Sequence, residues 1–120
     1  MSEEMGKTTK PTQRQISTCR LYVKDASGRI LQEAGLVEGT YSIGRSASND
    51  VSISDTHVSR KHASLYVQSN LVEIMDANST GGTFLDGVKV TSRTSVAGNQ
   101  RIQIGELYLT VSQNEQSDLS

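Results

Sequence analysis

Residues 101–111 read Arg-Ile-Gln-Ile-Gly-Glu-Leu-Tyr-Leu-Thr-Val, and their alternation decides the fold class. Ile102 and Ile104 alternate with Arg101 and Gln103, and Leu107, Leu109 and Val111 alternate with Tyr108 and Thr110. A period of two sends one set of side chains into a core and the other toward solvent, as in a half-buried strand. Working outward, the same texture recurs in Ala63, Leu65 and Val67 against Ser64, Tyr66 and Gln68, and in Leu21 and Val23 against Tyr22 and Lys24. Turn-forming clusters separate such runs: Ala26-Ser27-Gly28, Glu38-Gly39, Ser48-Asn49-Asp50, Gln68-Ser69-Asn70, Gly81-Gly82, Asp86-Gly87 and Gly98-Asn99. No segment carries a helical apolar stripe, so short strands at regular spacing predict a β-sandwich or barrel. Asp86-Gly87, between Thr83-Phe84-Leu85 and Val88-Lys89-Val90, has the chemistry of a two-residue hairpin turn.

Composition sets the domain limits. Leu, Ile, Val and Phe make up 27 of the 120 residues, and only Ile16 and Leu119 of these lie in the first seventeen or last eight. The apolar residues therefore support one folded domain over residues 18–112, with flexible polar tails expected at 1–17 and 113–120. Twelve basic and 13 acidic residues give a net charge of −1, without the basic excess a duplex-binding protein needs, so no nucleic-acid partner is expected. A single cysteine, Cys19, excludes an intramolecular disulfide and a cysteine metal cluster. No apolar run suits a signal peptide or a membrane span, which fits a reducing cytoplasmic setting, or a nuclear one in a eukaryote. With no Trp and 4 Tyr, the sequence suggests no aromatic anchor patch for a large protein interface.

The chemistry is concentrated in three loops: Ile43-Gly44-Arg45-Ser46, the stretch from Asp55 to His62, and the stretch from Asp76 to Thr83. Loops at one end of a sandwich converge, so separated segments can build one site. Arginine forks, hydroxyl donors and exposed backbone N–H groups are the donors that a phosphate monoester takes.

In order and spacing, Gly44-Arg45, then Ser59-Arg60-Lys61-His62-Ala63, then Asp76 with Ser79-Thr80-Gly81-Gly82-Thr83-Phe84-Leu85-Asp86-Gly87, resemble the forkhead-associated (FHA) domain. The resemblance covers essentially Thr18 to Ser112. It implies an all-β, eleven-stranded sandwich that binds phosphothreonine peptides through loops at one end, downstream of a Ser/Thr kinase and without a cofactor. On that resemblance Arg45 is the principal phosphate-binding arginine and Ser59 the hydroxyl that donates to a phosphate oxygen. Arg60 is a neighbouring residue reaching phosphate or peptide, and Thr80 lines the phosphothreonine site. His57 matches positions that select the residue three after the phosphothreonine. Gly44, His62 and Gly82 match architectural positions, with His62 bracing the loops. At Gly81 the family usually has an asparagine that hydrogen-bonds the peptide backbone, so Gly81 is expected to weaken peptide binding, and Asn78 is a candidate substitute. A phosphorylation-independent adaptor, or self-association, is the rival function.

Two other readings compete. Asp55, His57, Ser59 and His62 contain the residue types of a hydrolytic triad, but all fall in one loop with no nucleophile elbow, so no catalytic residue and no metal site is expected. Lys61 is expected on a solvated face, and Lys89 and Arg93 on the exposed side of a hairpin. Thr8, Thr9 and Thr12 of the tail are candidate phosphorylation sites whose phosphothreonine could occupy the chain's own pocket, Thr12-Gln13 suiting kinases that prefer glutamine after the site.

Overall fold

The computed structural model describes residues 19–113, and every structural statement below concerns those residues. The tail segment carrying Thr8, Thr9 and Thr12 lies outside them.

Eleven strands follow one another along the chain: β1 (Cys19–Lys24), β2 (Ile30–Leu36), β3 (Gly39–Gly44), β4 (Val51–Ser52), β5 (Ala63–Val67), β6 (Val72–Asp76), β7 (Thr83–Leu85), β8 (Val88–Lys89), β9 (Thr94–Ser95), β10 (Ile102–Ile104) and β11 (Leu107–Gln113). They form two sheets, a six-stranded one in the order β2-β1-β11-β10-β7-β8 and a five-stranded one in the order β4-β3-β5-β6-β9. Only the short β3–β4 pair is parallel among these ladders; the rest are antiparallel. The fold is an all-β sandwich.

The alternation in sequence becomes the two faces of each sheet. Leu21, Val23, Ile102, Ile104, Leu109 and Val111 point inward from the six-stranded sheet, and Ile43, Leu65, Val67 and Ile74 meet them from the other. All are essentially inaccessible to water, and burying each large aliphatic side chain contributes about 1.5–3 kcal/mol. The expected hairpin is present. Phe84 pairs with Lys89 and Leu85 with Val88, while Asp86 and Gly87 have φ of 48° and 84°. Two positive φ values give the primed turn whose twist matches the strands it joins, and Asp tolerates the left-handed region better than most side chains.

One expectation is corrected here. Arg93 does not share a hairpin face with Lys89. Its guanidinium stacks on the Tyr66 ring, 3.7 Å from the centroid, and its Nε donates to Glu73 at 2.8 Å, on the outer face of the five-stranded sheet. The chain has crossed between sheets after β8, and ring and carboxylate hold the cation there.

Candidate functional site

Three loops meet at the end of the sandwich where β3 finishes and β5 and β7 begin. β3 must stop against the second loop, because the Arg45 N–H donates to Ser59 O at 2.9 Å and the Ser46 N–H to Arg60 O at 3.2 Å. That close approach requires Gly44: a Cβ there would lie 2.2 Å from Arg60 O. Asn49 tightens the junction from inside, its Nδ2 donating to Arg60 O at 2.7 Å and to Ser46 O at 2.9 Å.

His62 joins the second loop to the third. It is fully buried, Nδ1 accepts from the Ser59 N–H at 3.0 Å, and Nε2 pairs with Gly82 O at 2.9 Å. Since a backbone N–H occupies Nδ1, the ring is the tautomer with its proton on Nε2, which donates to the Gly82 carbonyl. The third loop is organised by Asp76. Its carboxylate accepts from the Ser79 N–H at 3.0 Å, the Ser79 hydroxyl at 2.5 Å and the Thr83 hydroxyl at 2.6 Å. Burial pushes the Asp76 carboxyl up, but the bonds from Ser79 and Thr83 outweigh it and hold the group below the usual carboxylate range.

What remains is an open cleft of about 370 Å³ lined by Arg45, Thr56, His57, Val58, Ser59, Thr80 and Gly81. The polar groups in it are half used. Arg45 Nε donates to Val58 O at 3.0 Å, which fixes the guanidinium plane and leaves both terminal nitrogens without a partner among the described residues. Ser59 Oγ accepts the Thr80 N–H at 2.9 Å, so its own O–H is free to donate outward. No carboxylate lines the cleft. A guanidinium fork and a hydroxyl donor in one cleft make a receptor for a compact dianion.

The structure thus brings Arg45, His57, Ser59, Thr80 and Gly81 together. Arg60 is not among the lining residues; its side chain is exposed and its carbonyl serves the scaffold instead. Asn78, exposed and in the left-handed region with φ of 63°, is also outside the lining. Lys61 is exposed. His57 is 60% exposed, with Nδ1 3.4 Å from Asp55 and Nε2 3.7 Å from Glu106. Neither histidine is hydrogen-bonded to the Ser59 hydroxyl: His62 uses both ring nitrogens on main-chain groups, and Ser59 Oγ accepts the Thr80 N–H. Among the described residues no group of three His, Cys, Asp or Glu side chains is placed to hold a metal ion.

Sequence reasoning placed Asp76 in the third loop without a role, and missed Asn49 and Gly105 as builders of the site. Asp followed three residues later by Ser is a legible local-turn signal. Nothing local marks Asn49 as a builder of the site, because its bond to Arg60 O reaches another loop. Nor does anything mark Gly105, which packs in the β10–β11 turn so close to His57 that a Cβ would lie 3.1 Å from the His57 carbonyl oxygen. At the opposite end of the sandwich a slightly larger depression, about 410 Å³ and lined by Asn70, Leu71, Val72, Val96, Ala97, Gly98 and Ser112, carries no cation.

Comparison with known proteins agrees with this geometry. The family model for the FHA domain matches residues 41–105, the span that contains all three loops. Glycogen accumulation regulator GarA of Mycolicibacterium smegmatis is 30% identical over 83 residues, 69% of this chain and 52% of its own length. The chain therefore spans about half the length of that curated relative. Among solved structures, the FHA domain of CT664 from Chlamydia trachomatis superposes with a TM-score of 0.74 at 26% identity, covering 82% of this chain and 99% of that one. A structure from a study of phosphothreonine-dependent FHA domain interactions superposes with a TM-score of 0.71 at 28% identity, covering 82% and 98%. The matched span is more than half of the chain and contains the whole cleft, and the chain belongs to the FHA domain family.

Proposed function

We propose that the chain binds a phosphothreonine-containing segment of a partner protein in the cleft between Arg45, Ser59, Thr80 and Gly81, and catalyses no reaction. One observation carries the reading. Arg45 and Ser59 are each anchored by one polar group and left with free donors toward the same carboxylate-free space. A phosphate brings about −1.5 to −2 charge and three acceptor oxygens, which those donors suit. FHA domains are binding modules, and a similar structure comes from work on phosphothreonine-dependent interactions.

The partner is written by an upstream Ser/Thr kinase in the cytoplasm or, in a eukaryote, the nucleus; the buried free Cys19 suits such a reducing setting. A phosphorylated Thr8, Thr9 or Thr12 would compete for the same cleft from within the chain. Phosphorylating the tail and recording chemical shifts at Arg45 and Ser59 tests this: unchanged shifts dispose of it.

A degenerate phosphothreonine peptide library, with phosphoserine and unphosphorylated controls, tests the main reading on the wild type and Arg45→Ala. Binding that depends on phosphothreonine is expected, and the mutant should lose about 2–5 kcal/mol, a Kd increase of about thirtyfold or more. If a folded Arg45→Ala protein keeps its partner, the phosphorylation-independent adaptor reading, motivated by Gly81, replaces this one.

A further inference from the structure

The ladder registers bring together residues that are far apart in sequence. Lys24 of β1 pairs with Tyr108 of β11, Tyr108 with Gln103 of β10, Gln103 with Phe84 of β7, and Phe84 with Lys89 of β8. Paired residues share a face, and on β1, β7, β10 and β11 the strand neighbours of these residues are buried, so this row lies on the outer face of the six-stranded sheet. Five strands at about 4.8 Å spacing make it about 19 Å long. Arg101 adds its guanidinium 4.7 Å from the Tyr108 centroid, and Tyr22, one outward position along β1, lies 5.9 Å from the Lys24 ammonium. Three of the chain's five aromatic side chains, Tyr22, Phe84 and Tyr108, thus stand on one face, which corrects the expectation that the sequence holds no aromatic patch.

Cations outnumber carboxylates on this face. Lys24, Lys89 and Arg101 have no ion-pair partner among the described residues. The carboxylate on that face, Glu33, is taken by Arg20 at 2.9 Å, and Asp86 beside Arg101 accepts the Arg101 backbone N–H at 2.9 Å. The row is also the outward row nearest the cleft. A Cβ on Gly82, one residue from Gly81, would touch the Phe84 ring at 3.3 Å and the Lys89 stem at 3.4 Å.

We propose that this row of cations and rings docks an acidic segment of the same partner whose phosphothreonine the cleft holds. The inference rests on the phosphothreonine reading and extends it from one residue to a second contact. Charge complementarity selects the occupant. Interleaved rings and unpaired cations favour carboxylates with apolar neighbours, and the overall charge of −1 disfavours a polyanion such as nucleic acid.

The test uses the full chain and five synthetic peptides sharing one phosphothreonine core. One is the core alone. The others carry, through a Gly/Ser linker of about ten residues spanning about 17 Å, either a glutamate-rich or a neutral extension, attached at each end in turn. Fluorescence anisotropy should give a Kd about tenfold lower for the acidic than for the neutral extension. Lys24→Gln with Arg101→Gln should close that gap while leaving the core peptide's Kd unchanged. Arg93→Glu, which lowers the net charge equally on the opposite sheet, should preserve the gap. No gap, or a gap that survives the double variant, overturns the proposal.

If the core peptide itself fails to bind, or binds Arg45→Ala equally, the phosphothreonine reading has failed, and an NMR titration with a free oligoglutamate peptide judges the face by itself. Shifts centred on Lys24, Phe84 and Tyr108 retain it as an acidic dock, and their absence overturns it. Tighter binding of an oligothymidylate at the same residues overturns it in favour of a nucleic-acid platform.

Discussion

Gly44 and Gly81 lie on two of the loops that build the cleft and answer oppositely to a side chain. At Gly44 an added Cβ would press 2.2 Å from Arg60 O and 2.8 Å from Asn49 Nδ2, a contact with backbone that cannot swing away. Gly44→Ala should cost about 2–3 kcal/mol in urea unfolding, at the upper end of overpacking penalties, and drag phosphopeptide binding down with it. At Gly81 there is nothing within 4 Å of an added Cβ, and its φ is outside the left-handed region. Gly81→Asn should therefore leave stability within about 0.5 kcal/mol and supply the amide that the family resemblance implies at this position. Each peptide hydrogen bond is worth about 0.5–1.5 kcal/mol, so titration calorimetry should record a Kd about twofold to tenfold lower. Unchanged affinity would mean that the peptide backbone passes elsewhere. Arg45, Ser59 and His62 were legible because the family spacing marks them. Asn49 and Gly105 were not, since each acts through contacts with a distant loop.

Strands differ in how openly they declare themselves. β1, β5, β10 and β11 each bury one face and expose the other, so period two is written in their residues. β2 hides itself: as the edge of its sheet it is exposed at most positions, and Ile30 and Leu31 are both about half exposed. β4, β8 and β9 have two residues each, too few to show a period. The β7–β8 turn was legible because Asp-Gly suits two positive φ values. It also clips the start of β10, Asp86 exchanging hydrogen bonds with the Arg101 main chain. Gly87→Ala forces a Cβ into the left-handed region at φ of 84° and should cost about 1–2 kcal/mol by thermal unfolding. An added Cβ meets nothing within 4 Å there, so the penalty is backbone strain alone, and binding of the phosphopeptide core should be unchanged.

At the scale of the molecule, the binding end is also where the two sheets are joined by polar bonds. Asp76 ends β6 of one sheet and holds Thr83 at the start of β7 in the other, while His62 reaches from the edge of β5 to Gly82 beside β7. Asp76 links this junction to pH. Its folded carboxyl titrates below the unfolded one, so its stabilisation is complete above the unfolded value of about 3.9 and is lost as pH falls through the folded value. Asp76→Asn should lower stability at neutral pH by about 2–4 kcal/mol, since charged acceptors are worth about 1.5–3 kcal/mol per bond. It should also flatten the acid limb of the stability curve. An acid limb as steep as wild type would show that other carboxylates drive acid unfolding. The two-sheet architecture was readable in outline from turn spacing, but these cross-sheet bonds and the basic, aromatic outer row depend on register, which no local stretch of sequence displays.

The contact between Gly105 and His57 carries a consequence for how such a module diversifies. The β10–β11 turn is outside the cleft lining, yet it packs against the main chain of His57, which is inside it. A side chain at Gly105 would press on the His57 main chain, which would have to give by a few tenths of an ångström. If His57 meets the ligand, selectivity in this chain can drift through a position outside the cleft lining, leaving Arg45 and Ser59 untouched. Lineages could trade partners while keeping the same mark.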